Sequence, residues 1–237
     1  MIAEIIAKNR KHLDELIKEA IDLNGNKCSL NHINVSRIKD MGQLFHKSEF
    51  RGDISKWDVS NVEIMIQMFS ESKFDKDISN WNVSNVVDMS FMFSDSPFNQ
   101  DISKWDVSKV QDMNGMFWYS KFNKDISKWN VSNVQDMSFM FANSYFNQDV
   151  SNWNVSEVKN MVKMFAYSNF KQDLNNWKPY SLEKMQNIFE VAKNPRPYWF
   201  AYKEKDERNK AIEMYHLNMD LNNNMIANNT VEKKIKL

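Results

Sequence analysis

The sequence predicts an α/β solenoid of about seven 24-residue strand–helix coils with helical caps at both ends. Three observations carry that prediction. Trp57, Trp81, Trp105, Trp129, Trp153 and Trp177 recur every 24 residues. The stretch Phe50 to Phe74, FRGDISKWDVSNVEIMIQMFSESKF, returns almost verbatim from Phe74, Phe98, Phe122 and Phe146. Inside each copy the apolar spacing changes character, first that of a strand and then that of a helix face. A fixed period of this length marks stacked supersecondary units, none of which can bury its apolar face alone.

The N-terminal unit, 1–29, is read as a capping helix. Ile2, Ile5, Ile6, Leu13, Leu16, Ile17 and Ile21 recur at spacings of three and four over 2–23, and Asn24-Gly25 supplies a stop. Its apolar stripe is expected over the open end of the stack. Glu4, Asp14, Glu15 and Glu19 make it too acidic for a transit peptide.

The repeat unit, 30–197, divides into coils 30–53, 54–77, 78–101, 102–125, 126–149, 150–173 and 174–197, with Ile33 filling the Trp column of the first. In the second coil, Ile54, Trp57 and Val59 have the spacing of a short strand. Val62, Met65, Met68 and Phe69 read as one side of a short helix, with Ser60 at its N-cap and Glu63 completing a capping box. The last coil is a terminator: Pro179 stands where other coils have Val, and proline cannot donate to a ladder. The C-terminal unit, 198–237, is read as a cap and flexible tail. The aromatic run 194–202 (NPRPYWFAY) is expected to fold over the end. A helix at about 204–219 should present Ala211, Met214, Tyr215 and Leu217, and the polar residues 222–237 should be loosely held.

Composition excludes several function classes. Acids and bases balance at 31 each, so charge gives no reason to expect nucleic acid or an anionic membrane. Four glycines leave no phosphate-cradling loop. No apolar run approaches the length of a membrane helix. The first residues, MIAEIIAKNRKHLDEL, are broken by charge too early for a signal peptide, so a cytoplasmic location is expected. One cysteine, Cys28, excludes an intrachain disulfide. His12, His32, His46 and His216 are dispersed, and no nucleophile or carboxylate pair has a recognisable setting, so no catalytic residue, cofactor or enzyme activity is expected.

The motif DISxWDVSNVxxMxxMFxxSxxFNQ resembles the repeat of the BspA-type leucine-rich repeat proteins, which have many mycoplasma lipoprotein and surface-protein members. The residues that carry it include Asp77-Ile78-Ser79, Trp81-Asn82-Val83-Ser84-Asn85-Val86, Met89, Met92-Phe93 and Phe98-Asn99-Gln100. The match covers about 30–193, and Leu13–Asp40 resembles the family's usual lead-in. The resemblance implies a leucine-rich-repeat-like solenoid without enzyme activity, and surface display for many members.

Sites are weighed column by column. Twelve of the 16 methionines fall in the Met65 and Met68 columns; thioethers suit copper, but regular spacing points to core packing. Asp53, Asp77, Asp101, Asp125, Asp149 and Asp173 form a column that could ladder calcium, but turn capping accounts for it without glycine turns. No metal is expected. The polar face Lys56-Asp58-Ser60 and its copies is expected to solvate the sheet, or else to be a concave binding surface. The departures from the repeat are more informative. Trp118, Tyr119, Tyr145 and Tyr167 stand where other coils are small or polar, and Phe91 and Phe139 share another column. Exposed aromatics make interface hot spots, unless they tuck against the ends or merely drift. These six are the candidate binding residues. The expected function is a non-enzymatic, monomeric scaffold for an unknown protein partner. The alternative is a bacterial surface protein or adhesin that binds host protein or glycan.

Overall fold

A computed structural model of the chain describes residues 4–193 and 195–235. Ile2, which the sequence reading placed on the capping helix, and Asn194 of the aromatic run lie outside the described residues.

The repeats stack in register at an offset of 24 residues. Parallel bridges join Asp40 to Ile64, Ile64 to Asp88, Asp88 to Asp112, Asp112 to Asp136, Asp136 to Asn160 and Asn160 to Lys184. Side chains follow the same offset. Phe45, Phe69, Phe93, Phe117, Phe141, Phe165 and Phe189 form one column with ring centroids 5.6–5.8 Å apart. Phe50 to Phe170 form a second, at 6.3–6.5 Å. All these rings are fully buried. Each tryptophan of the 24-residue column from Trp57 to Trp177 also donates its indole N–H to the preceding coil: Trp81 to the Ile54 carbonyl at 3.2 Å, Trp129 to that of Ile102 at 3.1 Å. A buried indole needs such a partner, and the stack supplies it at every step.

The coil itself differs from the strand–helix unit that its apolar spacing suggested. Among the described residues the repeats contain no α-helix, and the one two-stranded sheet, β1 (Ile5–Ile6) with β2 (Ile33–Asn34), lies at the N-terminus. Residues 62–72 form successive tight turns instead. Met68, Ser70 and Ser72 each donate to the carbonyl three residues back. The alternate N–H groups, of Met65, Gln67, Phe69 and Glu71, reach across to Asp88, Ser90, Met92 and Ser94 of the next coil. A chain that closes turns with half its amides and ladders with the other half needs residues with positive φ. Two columns provide them: Gln43, Gln67, Phe91, Gly115, Phe139, Lys163 and Asn187, and Lys47, Glu71, Asp95, Tyr119, Asn143, Tyr167 and Val191, with φ between 48° and 60°. The left-handed conformation costs a non-glycine residue roughly 1–2 kcal/mol. In every coil but the last, each of these residues donates its N–H to the next coil, and a bond of this kind contributes roughly 0.5–1.5 kcal/mol. Stacking thus offsets the local strain. A spacing of three apolar residues does not separate this turn ladder from a helix, which is why the sequence misled.

The capping box at Ser60 dissolves with the helix. Asp58 Oδ1 accepts the Ser60 N–H at 3.1 Å, an Asx turn, and Asn82, Asp106, Asn130 and Asn154 do the same for Ser84, Ser108, Ser132 and Ser156. The Asp53 column makes a second row of such turns, onto Ser55, Ser79, Ser103, Ser127, Ser151 and Asn175.

Both ends are covered. Helix α1 (Arg10–Asn24) starts later than the 2–23 pattern, because Asn9 caps it by accepting the His12 N–H and because Ile5 and Ile6 are drawn into the ladder beside Ile33 and Asn34. It buries Leu13, Ile17 and Ala20 and stops at Gly25, whose φ is 75°. Arg10 donates to the Gly42 carbonyl at 2.6 Å, on the open edge of the first coil. At the other end a 3-10 turn, Tyr198–Ala201, places Trp199 against Trp177 at 6.4 Å, and Trp199 donates to the Leu174 carbonyl. The cap therefore continues the tryptophan column. Helix α2 (Lys205–Ile235) extends beyond the 204–219 span expected for it; no glycine or proline interrupts it. Its buried Arg208 donates to the Leu182 carbonyl, whereas Met214, Leu217, Leu221 and Met225 are exposed.

Candidate functional site

The two left-handed columns run side by side along the stack, four residues apart in each coil. Between them lies a column that reads Ser94, Trp118, Ala142, Ala166 and Glu190. Where that column narrows to Ala142 and Ala166, both buried, the surface sinks into a groove of about 360 Å³. Tyr119, Asn143 and Tyr167 form one wall; Phe139 and Lys163 form the other. Trp118 closes one end. At the other, Glu190 accepts the Tyr167 hydroxyl at 2.8 Å and faces Lys163 at 3.9 Å.

Four of the six predicted residues line this groove: Trp118, Tyr119, Phe139 and Tyr167. Phe91 joins from one coil away, edge-on to Trp118 at 6.1 Å. It reaches there over Gly115, where a Cβ would come within 2.4 Å of the Phe91 ring. One glycine in a left-handed column thus makes room for the ring that braces Trp118. Tyr145 does not line the groove. It belongs to the column of Lys73 and Lys121, and its ring is 59% exposed.

The two tyrosines of the groove contribute little to packing. Tyr119 is 53% and Tyr167 50% exposed, against 0% for Phe117 and Phe165 two residues earlier. Among the described residues no hydrogen bond engages the Trp118 indole N–H, the Tyr119 hydroxyl or the Asn143 side-chain amide. The backbone beneath is committed: Tyr119 donates to Ala142, Phe139 to Val162 and Asn143 to Ala166. The site therefore offers ring faces and side-chain donors but no open strand edge.

The other candidate columns have structural partners. Methionines 65, 68, 89 and 92 are fully buried among the phenylalanines. The Asp77, Asp101 and Asp125 carboxyls are held below the usual range by the N–H groups of Ser79, Ser103 and Ser127. Among the described residues no three His, Cys, Asp or Glu side chains are grouped to hold a metal ion.

Two features escaped the sequence. A depression of about 560 Å³ lies between α1 and the first coil, lined by Ile5, Leu16, Ala20, Leu23, Cys28 and His32. Burial pushes the Cys28 thiol up, away from the thiolate a nucleophile needs. The second is a carboxylate row at the bridge positions, Asp88, Asp112 and Asp136. Burial, with the two flanking carboxylates adding to it, raises Asp112 to about 6, although its bond from the Asn114 N–H acts the other way. The depression depends on how α1 meets the first coil, and the carboxylate row, though it keeps the 24-residue spacing, does not show its burial in the letters.

No helix among the described residues is long and apolar enough to cross a membrane. Comparison with curated proteins and with solved structures found no match in either. A family model described as Mycoplasma protein of unknown function, DUF285, matches twice, over residues 11–121 and 96–197. The two matches overlap and together take in the stacked repeats, and the chain belongs to that family.

Proposed function

We propose that this chain is a non-enzymatic repeat scaffold, a solenoid of the BspA-type leucine-rich repeat kind, that binds another protein through the aromatic groove. The observation that carries the reading is the placement of Trp118, Tyr119, Phe139 and Tyr167 around one groove, outside the core. A repeat stacks equally well with the Lys, Glu, Asp and Asn side chains that fill the Tyr119 column elsewhere. Partly exposed rings gathered in one place fit the aromatic anchors that dominate interface energetics. Asx turns and the buried columns explain the remaining repeated residues without a ligand, which favours the groove over the polar face.

Replacing Trp118 and Tyr119 together by alanine tests the reading. The expected result is loss of partner capture from native lysate with little change in melting temperature. Capture at the wild-type level rejects it.

A further inference from the structure

We propose that the groove takes a proline-rich segment in the polyproline II conformation, with a basic residue of that segment at the Asp95 end. This rests on the reading of the groove as the protein-binding site. Three properties of the groove select the occupant. The first is spacing. Tyr119 and Tyr167 lie two coils apart in one column, ~9.6 Å at the spacing of a parallel ladder. One turn of polyproline II, three residues at 3.1 Å each, spans about 9.3 Å. Successive turns of such a helix therefore meet successive tyrosines.

The second property is the pattern of donors. An added β-strand needs unpaired backbone groups, and those of Tyr119, Phe139 and Asn143 are already bonded to the next coil. A polyproline II chain has no internal hydrogen bonds and presents carbonyl acceptors only. The Trp118 indole, the Tyr119 hydroxyl and the Asn143 amide are side-chain donors on the same rim.

The third is charge. Asp95 precedes Tyr119 in its column and lies beside Trp118, to whose carbonyl it donates its N–H at 2.7 Å. Glu71, one coil further, is engaged by Lys47 at 3.6 Å, and Glu190 at the opposite end faces Lys163. Asp95 makes no ion pair among the described residues. A lysine or arginine flanking the prolines complements it, and gives the segment one direction of binding.

The test uses the full chain and four fluorescein-labelled peptides read by anisotropy: eight prolines, the same with arginine at the N-terminus, the same with arginine at the C-terminus, and a Gly-Ser octamer. The octaproline should bind and the Gly-Ser peptide should not. One of the arginine peptides should bind roughly 3–10-fold tighter, a difference of about 0.7–1.4 kcal/mol. Asp95→Asn should remove that preference and keep octaproline binding. Tyr119→Ala should weaken every proline peptide at least tenfold, whereas Tyr145→Ala, outside the groove, should change nothing. Urea midpoints of the variants check the fold. Equal binding of octaproline and Gly-Ser, indifference to Tyr119→Ala, or displacement of the peptide by an oligosaccharide overturns the proposal. If octaproline fails but the Trp118 and Tyr119 variant still loses its partner, the groove remains a protein site with a different occupant. If both fail, the functional reading fails with it.

Discussion

Phe117 and Tyr119 are two residues apart, and they obey different rules. Phe117 is buried between Phe93 and Phe141 at 5.8 and 5.7 Å, in a column that holds phenylalanine in all seven positions from Phe45 to Phe189. Tyr119 is half exposed, in a column that reads Lys, Glu, Asp, Tyr, Asn, Tyr, Val. The first column stays uniform because each ring is the wall of the next coil's cavity. The second varies because its backbone carries the ladder and its side chains make only surface contacts, such as Lys47 with Glu71 and Tyr167 with Glu190. Stability belongs to the uniform columns, and specificity is free to occupy the variable ones.

The sharpest way to break that contrast is in the core. Phe117→Ala opens a cavity in the middle of the column and should cost about 3–5 kcal/mol, read as a lower urea midpoint. Trp129→Phe keeps a ring but removes the indole donor to the Ile102 carbonyl, which retains only the Trp105 N–H. It should cost roughly 0.5–1.5 kcal/mol by the same measurement.

Asp112 lies between the two regimes, half-buried with Asp88 and Asp136 on either side. Its carboxyl is raised from 3.8 to about 6 in the folded chain. A raised folded value means that the proton stabilises the fold: the benefit is complete below about 3.8 and is lost as pH rises through about 6. Asp112→Asn keeps an acceptor for the Asn114 N–H and removes the charge. It should therefore raise stability at pH 7.5 and add nothing near pH 3.5. Solvent screening of a half-exposed side chain limits the gain to about 1 kcal/mol. Urea titrations at the two pH values measure it.

A smaller effect sharpens the other side. Val191 is β-branched, 69% exposed and left-handed with φ 58°, and no next coil takes its N–H. Val191→Gly should stabilise by about 0.5–1 kcal/mol in thermal melts, because the strain is relieved and no packing is lost.

The uniform columns were legible in the sequence because burial forces identity. The 24-residue period, the Trp, Met and Phe columns and the turn-capping Asp column can all be read from the letters. The path of the backbone could not. Val62, Met65, Met68 and Phe69 satisfy a helix face and a turn ladder equally, and the left-handed positions hold glycine only at Gly115. The candidate site was half legible: odd aromatics in a repetitive string stand out, and Trp118, Tyr119, Phe139 and Tyr167 prove to line one groove. Nothing in the string separated Tyr145 from them. That needed the geometry of the columns, as did the bracing of Trp118 by Phe91 over Gly115.

The most direct measurement pairs stability with binding in one variant, Tyr119→Ala with Tyr167→Ala. The urea midpoint should correspond to wild-type stability within about 0.5 kcal/mol, as for surface substitutions generally, while partner capture falls at least tenfold. A destabilised variant, or one that captures its partner as the wild type does, would contradict the division between columns that hold the fold and columns that recognise.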